Sequence, residues 1–365
     1  LIFRLVWENV RQRPIRAMLS ILLIAGPVTM ILTLIGMSHG FVDESKKRYA
    51  GVGADILFRA PGSSQVMGFS TASLPDKFVA ALLKEPHVAQ ATGTVVALTT
   101  GFDSITGIDV NAFNKMSGGF TFVEGHSFES PNDILLDTYE AEQLHAHVGG
   151  TINVLHQNWH VAGIVEPGKL AHQFVQLPVL QNLIGATGKL TQIYLKLDNP
   201  ANTNEVMAYL RSKYDGYPVF SMKDLQTMLS VDNIPMLSTF LHVVIGIGIV
   251  FGFGVVSLSM YMAVLQRTRE IGILKSLGAN SLLVMELILA EAFILGLGGT
   301  IVGILLSFVS RAVMLTVAPA SFPQAIVLSW WPIAGSIAMG AALLGALYPG
   351  MMAVRQDPIE ALAYE

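Results

Sequence analysis

Four apolar runs, Ala17 to Met37, Phe240 to Leu265, Leu282 to Val309 and Ser329 to Met352, constrain what this chain can fold into more than any other feature. Each is long enough to cross a hydrocarbon core, which takes about 20 helical residues. Only 13% of residues are charged, against about a quarter in soluble proteins, and the mean hydropathy is +0.55. The sequence therefore predicts an integral membrane protein with four transmembrane helices. The first run is too long for a cleaved signal peptide, and no small-residue cleavage site follows Met37.

Lys and Arg in the short segments set the expected orientation. Arg4, Arg11, Arg13 and Arg16 precede the first span, Arg267, Arg269 and Lys275 lie between the second and third, and Arg355 follows the fourth. The loop 312–328 has none. The predicted order is a cytoplasmic interfacial helix 1–16, span one 17–39, an extracytoplasmic domain 40–236 and span two 237–265. A cytoplasmic insert 266–281, span three 282–311, an outer loop 312–328, span four 329–352 and a cytoplasmic segment 353–365 complete it. In the interfacial helix Ile2, Phe3, Val6, Trp7 and Val10 form an apolar face opposite Arg4, Glu8, Arg11 and Gln12, which suits the headgroup region. Pro27 removes a backbone hydrogen bond within span one and can kink it.

The segment 40–236 has the texture of a soluble domain. Ala54 to Arg59, Thr94 to Thr99, Thr151 to Leu155, Trp159 to Val165 and Gln192 to Leu197 read as strands. Pro75 to Lys84, Thr138 to His147 and Asn204 to Tyr214 read as amphipathic helices, so the expectation is a large α+β domain, in one lobe or two. Residues 41–235 carry a net charge of -6 within a whole-chain charge of -4. No basic stripe points to nucleic acid. The chain has no cysteine, which rules out disulfides and thiol chemistry.

The insert between spans two and three, QRTREIGILKSLGAN at 266–280, is the most informative for function. As a helix it is expected to place Ile271, Ile273, Leu274 and Leu277 on one apolar stripe and to keep Arg267, Arg269, Glu270 and Lys275 in water, with Gly278 as its stop. Such a turn can pack into a groove on a soluble partner. Arg267, Thr268, Arg269, Glu270, Ile271, Gly272, Ile273, Lys275, Leu277, Gly278 and Ala279 stand in register with RTREIGIRKALGA, so the insert resembles the ATPase-docking helix of MacB/FtsX-type (type VII superfamily) ABC transporter permeases. Only Leu274 and Ser276 depart from it. The run Tyr348 to Glu365 resembles the closing segment of the same family, with matches at Pro349, Pro358, Glu360, Ala361 and Leu362. Asp357 with Pro358 can open a short helix there, and Ala363 replaces the usual Arg. More diffusely, Glu124-Gly125, Asp133 to Leu136, Ala141 to Leu144, Val148 to Ile152 and Val161 to Val165 follow the order of motifs in the family's extracytoplasmic domain.

Other features read as structural. Gly248 with Gly252, and Gly299 with Gly303, have the small-x-x-x-small spacing of close helix packing. Glu291 lies inside an apolar run, where a charge is costly. Its place in the pattern Glu291, Ala292, Leu295, Gly298, Gly299, which the family shares, implies a hydrogen bond across helices rather than proton chemistry; Glu286 is near enough to the membrane edge to snorkel. The pairs His145 with His147 and His156 with His160 lack shared faces or a suitably spaced carboxylate, and no metal site is expected. Gly185 to Leu190 lacks the spacing and hydroxyl of a phosphate loop, so no ATPase and no catalytic residues are expected on this chain.

The resemblance implies a non-catalytic permease subunit of the bacterial inner membrane with both termini cytoplasmic. It implies coupling to a cytoplasmic ABC ATPase dimer that holds ATP and Mg, a second permease copy or paralogue, contact with membrane lipid, and a periplasmic adaptor protein in some systems. ATP-driven closure would move the extracytoplasmic domain, a mode called mechanotransmission, to export or extract a lipid, lipoprotein, peptide or drug. The alternative implied is an FtsX-like regulator of an extracytoplasmic hydrolase.

Overall fold

The structure, a computed structural model, describes residues 11, 14–62, 73–99, 103–231, 233, 235–317 and 323–355. Most of the expected interfacial helix therefore lies outside the described residues, as do Asp357, Pro358, Glu360, Ala361 and Leu362. The chain divides into two compact units, one of residues 1–39, 235–313 and 324–365 and the other of 40–234 with 314–323.

Helix α1 (Pro14–Ala50) does not end with its apolar run. It continues through the charged stretch Asp43 to Arg48, leaving Lys47 and Arg48 in the last turn, where cations face the negative end of the helix dipole. The apolar run thus marks a change of solvent rather than the end of the helix.

The inserted unit follows in the order β1 (Ile56–Arg59), β2 (Leu74–Pro75), α2 (Lys77–Leu82), β3 (Val88–Leu98), β4 (Ser104–Ile108), α3 (Val110–Ser117), β5 (Phe122–Gly125) and β6 (Asp133–Asp137). Next come α4 (Thr138–Leu144), β7 (Thr151–Val154), β8 (Gln157–Val165), β9 (Gln173–Gln176), α5 (Leu177–Leu183), β10 (Lys189–Leu190) and β11 (Gln192–Leu197). A 3-10 turn at Pro200–Asn202, α6 (Thr203–Lys213), β12 (Val219–Ser221) and α7 (Met222–Met228) close it. One mixed sheet, ordered β12-β1-β11-β3-β4-β9-β6-β8-β5 with β7 on β8, runs through the unit; β2 and β10 pair separately.

Strand side chains alternate across a sheet, and both faces here are covered. Ile56, Phe58, Ile134, Leu136, Val161, Val175, Ile193 and Leu195 pack in one core. Their neighbours Leu57, Leu135, Ala162, Phe174 and Tyr194 pack in the other. Trp159 is fully buried and donates its indole N–H to the Val154 carbonyl at 3.1 Å. In place of two lobes, one continuous sheet carries a core on each face. The run Thr94 to Thr99 proves to be the second half of the longer β3, and the helix expected to reach His147 stops at Leu144, where His145 adopts the left-handed conformation with φ 51°.

The helical unit comprises the first part of α1 with α8 (Pro235–Gln266), α9 (Thr268–Ser276), all but the last residues of α10 (Ser281–Val317) and α11 (Trp330–Arg355). Helices α1, α8, α10 and α11 are each long and apolar enough to cross a membrane. A Cβ at Gly299 would lie 2.5 Å from Ile24 Cγ2 and one at Gly303 2.7 Å from Val28 Cβ, so α10 approaches α1 where it has no side chain. Thr29 donates to the Gly303 carbonyl at 3.1 Å beside that contact. Gly248 and Gly252 behave differently from expectation. A Cβ there would meet its nearest atoms at 3.5 and 3.9 Å, and both glycines line a shallow apolar cleft with Ile24, Val28 and Ile31. The tight crossing of α8 uses a glycine of α11 instead: a Cβ at Gly345 would lie 2.8 Å from the Phe253 carbonyl oxygen.

Candidate functional site

Helix α9 is short, and local chemistry defines both of its ends. Arg267 donates its backbone N–H to the Val264 carbonyl and accepts from Ile271 N–H, so the chain turns out of α8 and directly into α9. At the far end Gly278 takes φ 97°, its N–H bonding Lys275 O and that of Ala279 bonding Leu274 O. This paired closure needs a residue that tolerates a left-handed backbone. Asn280 then caps α10, accepting from Leu283 N–H at 2.8 Å.

The faces of α9 differ from the expected stripe. Ile271 and Gly272 are buried, Ile271 in an apolar cluster that also holds Val264, Val284, Ile288 and Ala353. Ile273, Leu274 and Leu277 are exposed, Leu277 at 80%. At ~100° per residue, Ile271 and Ile273 are about 200° apart and cannot share a face. The inward face is shared instead by Ile271 and two cations. Arg267, expected in water, is buried and makes a bidentate pair with Glu291 of α10, Nη1 to Oε2 at 2.9 Å and Nη2 to Oε1 at 3.4 Å. Half-buried Lys275 donates Nζ to the Val354 carbonyl at 2.8 Å, in the last turn of α11. Arg269, Glu270, Ile273 and Leu277 form the outward face, a mixture of charge and apolar surface. Ala279 is half-buried beside the Gly278 turn.

Glu291 thus has a partner that its sequence neighbourhood does not reveal, 24 positions away. The signal was present: a carboxylate in an apolar run needs a cation, and Arg267 lies just beyond the neighbouring run. Glu286 is exposed, and Pro349 is buried in α11.

In the inserted unit the histidines of the two pairs have separate local roles. His145 caps α4 and His156 sits in the β7–β8 turn with φ 60°, while His160 Nδ1 lies 3.1 Å from Asp133 Oδ1, a carboxylate supplied by a neighbouring strand. His172 Nδ1 lies 2.5 Å from Asp137 Oδ2. Among the described residues no group of three or more His, Asp or Glu is placed to hold a metal ion. Burial pushes the Glu140 carboxyl up to about 6, against the hydrogen bond from Gln173. Burial also acts to raise Glu85 and Asp133, but hydrogen bonds outweigh it and both lie below the ordinary carboxylate range. Glu85 receives them from Lys213, Tyr214 and Tyr209, and Asp133 from the Ser130 and Glu129 backbone and His160. Gly185 to Leu190 runs from a turn into strand β10 rather than into a helix, so it offers no helix N-terminus to a phosphate.

Four membrane-length helices, with an α+β unit inserted between the first two and a short clamped helix between the second and third, define a multi-pass membrane protein. Residues 17–213 match the MacB-like periplasmic core domain and residues 233–358 the FtsX-like permease C-terminal domain. The chain belongs to the MacB/FtsX family of ABC transporter permeases. It is 24% identical over 397 residues to YknZ of Bacillus subtilis, described as an uncharacterized ABC transporter permease, covering 99% of this chain and 98% of that protein. It is 23% identical over 402 residues to MacB of Acinetobacter baylyi, a macrolide export ATP-binding/permease protein, covering 100% of this chain and 59% of that one. The chain therefore spans about three-fifths of that MacB relative's length. Among solved structures, the periplasmic region of MacB from Actinobacillus actinomycetemcomitans matches at 14% identity with a TM-score of 0.38, covering 49% of this chain and 94% of that one.

Proposed function

We propose that this chain is the membrane subunit of an ATP-driven transporter, docking a cytoplasmic ABC ATPase through the outward face of α9 and passing its motion to the inserted unit. The observation that carries this reading is the construction of α9. Ile271, Gly272, Arg267 and Lys275 hold it against α10 and α11, while Arg269, Glu270, Ile273 and Leu277 remain outward. A fixed helix with a mixed charged and apolar outer face suits a groove on a soluble partner. Pro349 and the segment from Asp357 to Leu362 belong to the proposed docking region by family resemblance.

The Lys and Arg distribution supports cytoplasmic termini and an extracytoplasmic inserted unit, in the inner membrane of a bacterium. We place the ATPase, with its ATP and Mg, on a separate polypeptide. The alignment along nearly the whole of YknZ, described as a permease, supports that arrangement. The permease acts as a dimer with itself or a paralogue, and its cargo is a lipid, lipoprotein, peptide or drug taken from the outer leaflet or periplasm, with or without an adaptor. The MacB-like match over 17–213 favours transport over regulation of a hydrolase.

The test is copurification with the ATPase and ATP-driven export. Glu270→Lys reverses an exposed charge on the outward face, and Gly278→Leu forces a branched residue into a left-handed backbone at a cost of about 1–2 kcal/mol. Both variants should lose ATPase retention or uncouple hydrolysis from export. Unchanged binding, hydrolysis and export in both would remove α9 from the mechanism.

A further inference from the structure

Helix α9 is fastened at both ends, each time by one of its own cations reaching a different neighbouring helix. Arg267, in the turn that begins α9, is paired to Glu291 of α10. Lys275, in its last turn, holds the final turn of α11 through the Val354 carbonyl. Between them Ile271 is buried in an apolar cluster to which Val284 and Ile288 of α10 and Ala353 of α11 also belong. The two fastenings differ in kind. Lys275 meets a neutral carbonyl that accepts a cation at a helix C-terminus. Arg267 and Glu291 are both buried, so each charge depends on the other for compensation. Packing alone could have been served by apolar residues of similar volume. The bidentate geometry of arginine also fixes direction, which a lysine or an apolar contact does not.

We infer that the Arg267–Glu291 pair is the joint through which a displacement of α9 becomes a displacement of α10. Arg267 and Glu291 are accordingly positioning residues for coupling rather than for ATPase recognition. The inference rests on the docking role proposed for α9 and adds to it a separation of tasks. Glu270, Ile273 and Leu277 face the partner, whereas Arg267 and Glu291 face inward and touch none of the outward surface. With the joint intact, α9 and α10 move as one body. With it broken, α9 can remain docked while pivoting about Lys275 and Ile271, and the push is lost before it reaches α10. A transmitting element of this type biases two states only while it is rigidly attached to both.

The experiment uses the full chain in nanodiscs with its ATPase, reading ATPase retention and the stimulation of ATP hydrolysis by the permease. Glu291→Gln keeps the shape and one acceptor but removes the charge. It should retain the ATPase to within about twofold and lose stimulation by about two- to thirtyfold, the span expected for changes along a coupling route. Arg267→Lys, which keeps charge but not the fork, should fall between the two. The reversed pair, Arg267→Glu with Glu291→Arg, should recover at least half of the lost stimulation. Thr300→Ala, which removes a buried hydroxyl of α10 bonded within its own helix, should leave both readings unchanged. Wild-type stimulation in Glu291→Gln and Arg267→Lys would overturn the joint while leaving the docking role intact. Retention and stimulation falling together, or an equal loss in Thr300→Ala, would overturn it by showing general damage. A wild-type chain that neither retains nor stimulates the ATPase would instead overturn the docking role on which it rests.

Discussion

The inserted unit and the helical unit solve the same problem, holding a chain in one conformation, with opposite materials. In the inserted unit large side chains do the packing: Trp159, Phe58, Phe113, Phe174 and Tyr194 are fully buried on the two faces of one sheet. Water outside drives that burial at about 25 cal/mol per Å2 of apolar surface. In the helical unit many large apolar residues are exposed, Val243, Ile247, Val250 and Leu258 among them, and hydrocarbon would solvate them as well as a neighbour would. Its closest approaches are made by what is small or polar, at Gly299, Gly303 and Gly345, the Thr29 hydroxyl and the Arg267–Glu291 pair, beside an apolar cluster that includes Ile24, Met260, Ile288 and Leu295. The two units should therefore respond to substitution in different ways.

The largest expected effect lies in the sheet. Trp159→Ala removes the largest fully buried side chain and its hydrogen bond to Val154, and should cost about 3–5 kcal/mol. Denaturant unfolding of the full-length protein, followed by fluorescence, measures it. A loss below 1 kcal/mol would mean that this core is not packed as described.

In the helical unit a gain of volume, not a loss, should be the damaging change. Gly299→Ala places a methyl group 2.5 Å from Ile24 Cγ2 and should cost about 1–3 kcal/mol in thermal stability in detergent. A neutral result there would show that α1 and α10 do not approach at this point.

A smaller effect separates two carboxylates of the inserted unit by the sign of their pH dependence. Glu140 titrates near 6 instead of its ordinary 4.5, so its protonated form suits the fold and stability is lost as pH rises from about 4.5 through 6. Glu85 is lowered, so the stability it contributes is present above its unfolded value and lost as pH falls through its folded one. Glu140→Gln should flatten the stability profile between about pH 4.5 and 6, whereas Glu85→Gln should flatten its more acidic side. Equal shifts on both sides in either variant would contradict the assignment.

The smallest effect is at Gly248. Alanine there meets Ile31 at ordinary contact distance and favours the helix, so Gly248→Ala should change stability by no more than about 0.5 kcal/mol. A loss as large as that of Gly299→Ala would restore Gly248 as a packing residue.

How much of this was legible in the sequence follows the same division. Spans are legible because length and apolarity are properties of the chain itself, and β11 is legible because Gln192 to Leu197 alternates over a full strand. Strands β4 and β9 were not anticipated: each is short, and they pair parallel across a separation of nearly seventy positions, Ile105 with Gln173, which no local pattern encodes. The existence of α9 and its stop at Gly278 could be read from the sequence, whereas its orientation could not. A count of apolar residues assigns Leu277 inward and Arg267 outward, whereas Arg267 turns inward to Glu291 of α10 and Leu277 is left exposed. At Gly248 and Gly252 the spacing was present but no neighbouring backbone came close enough to use it.

The most direct measurement follows the inserted unit while the ATPase works. The chain has no native cysteine, so Ala208→Cys on the exposed side of α6 offers a single site for a spin label in each copy of the proposed permease dimer. If α9 passes motion through the spans, the distance distribution between the two labels should differ between nucleotide-free and ATP-trapped complexes. A distribution that stays the same in a complex still hydrolysing ATP and exporting its cargo would contradict the transmission of motion from α9 to the inserted unit.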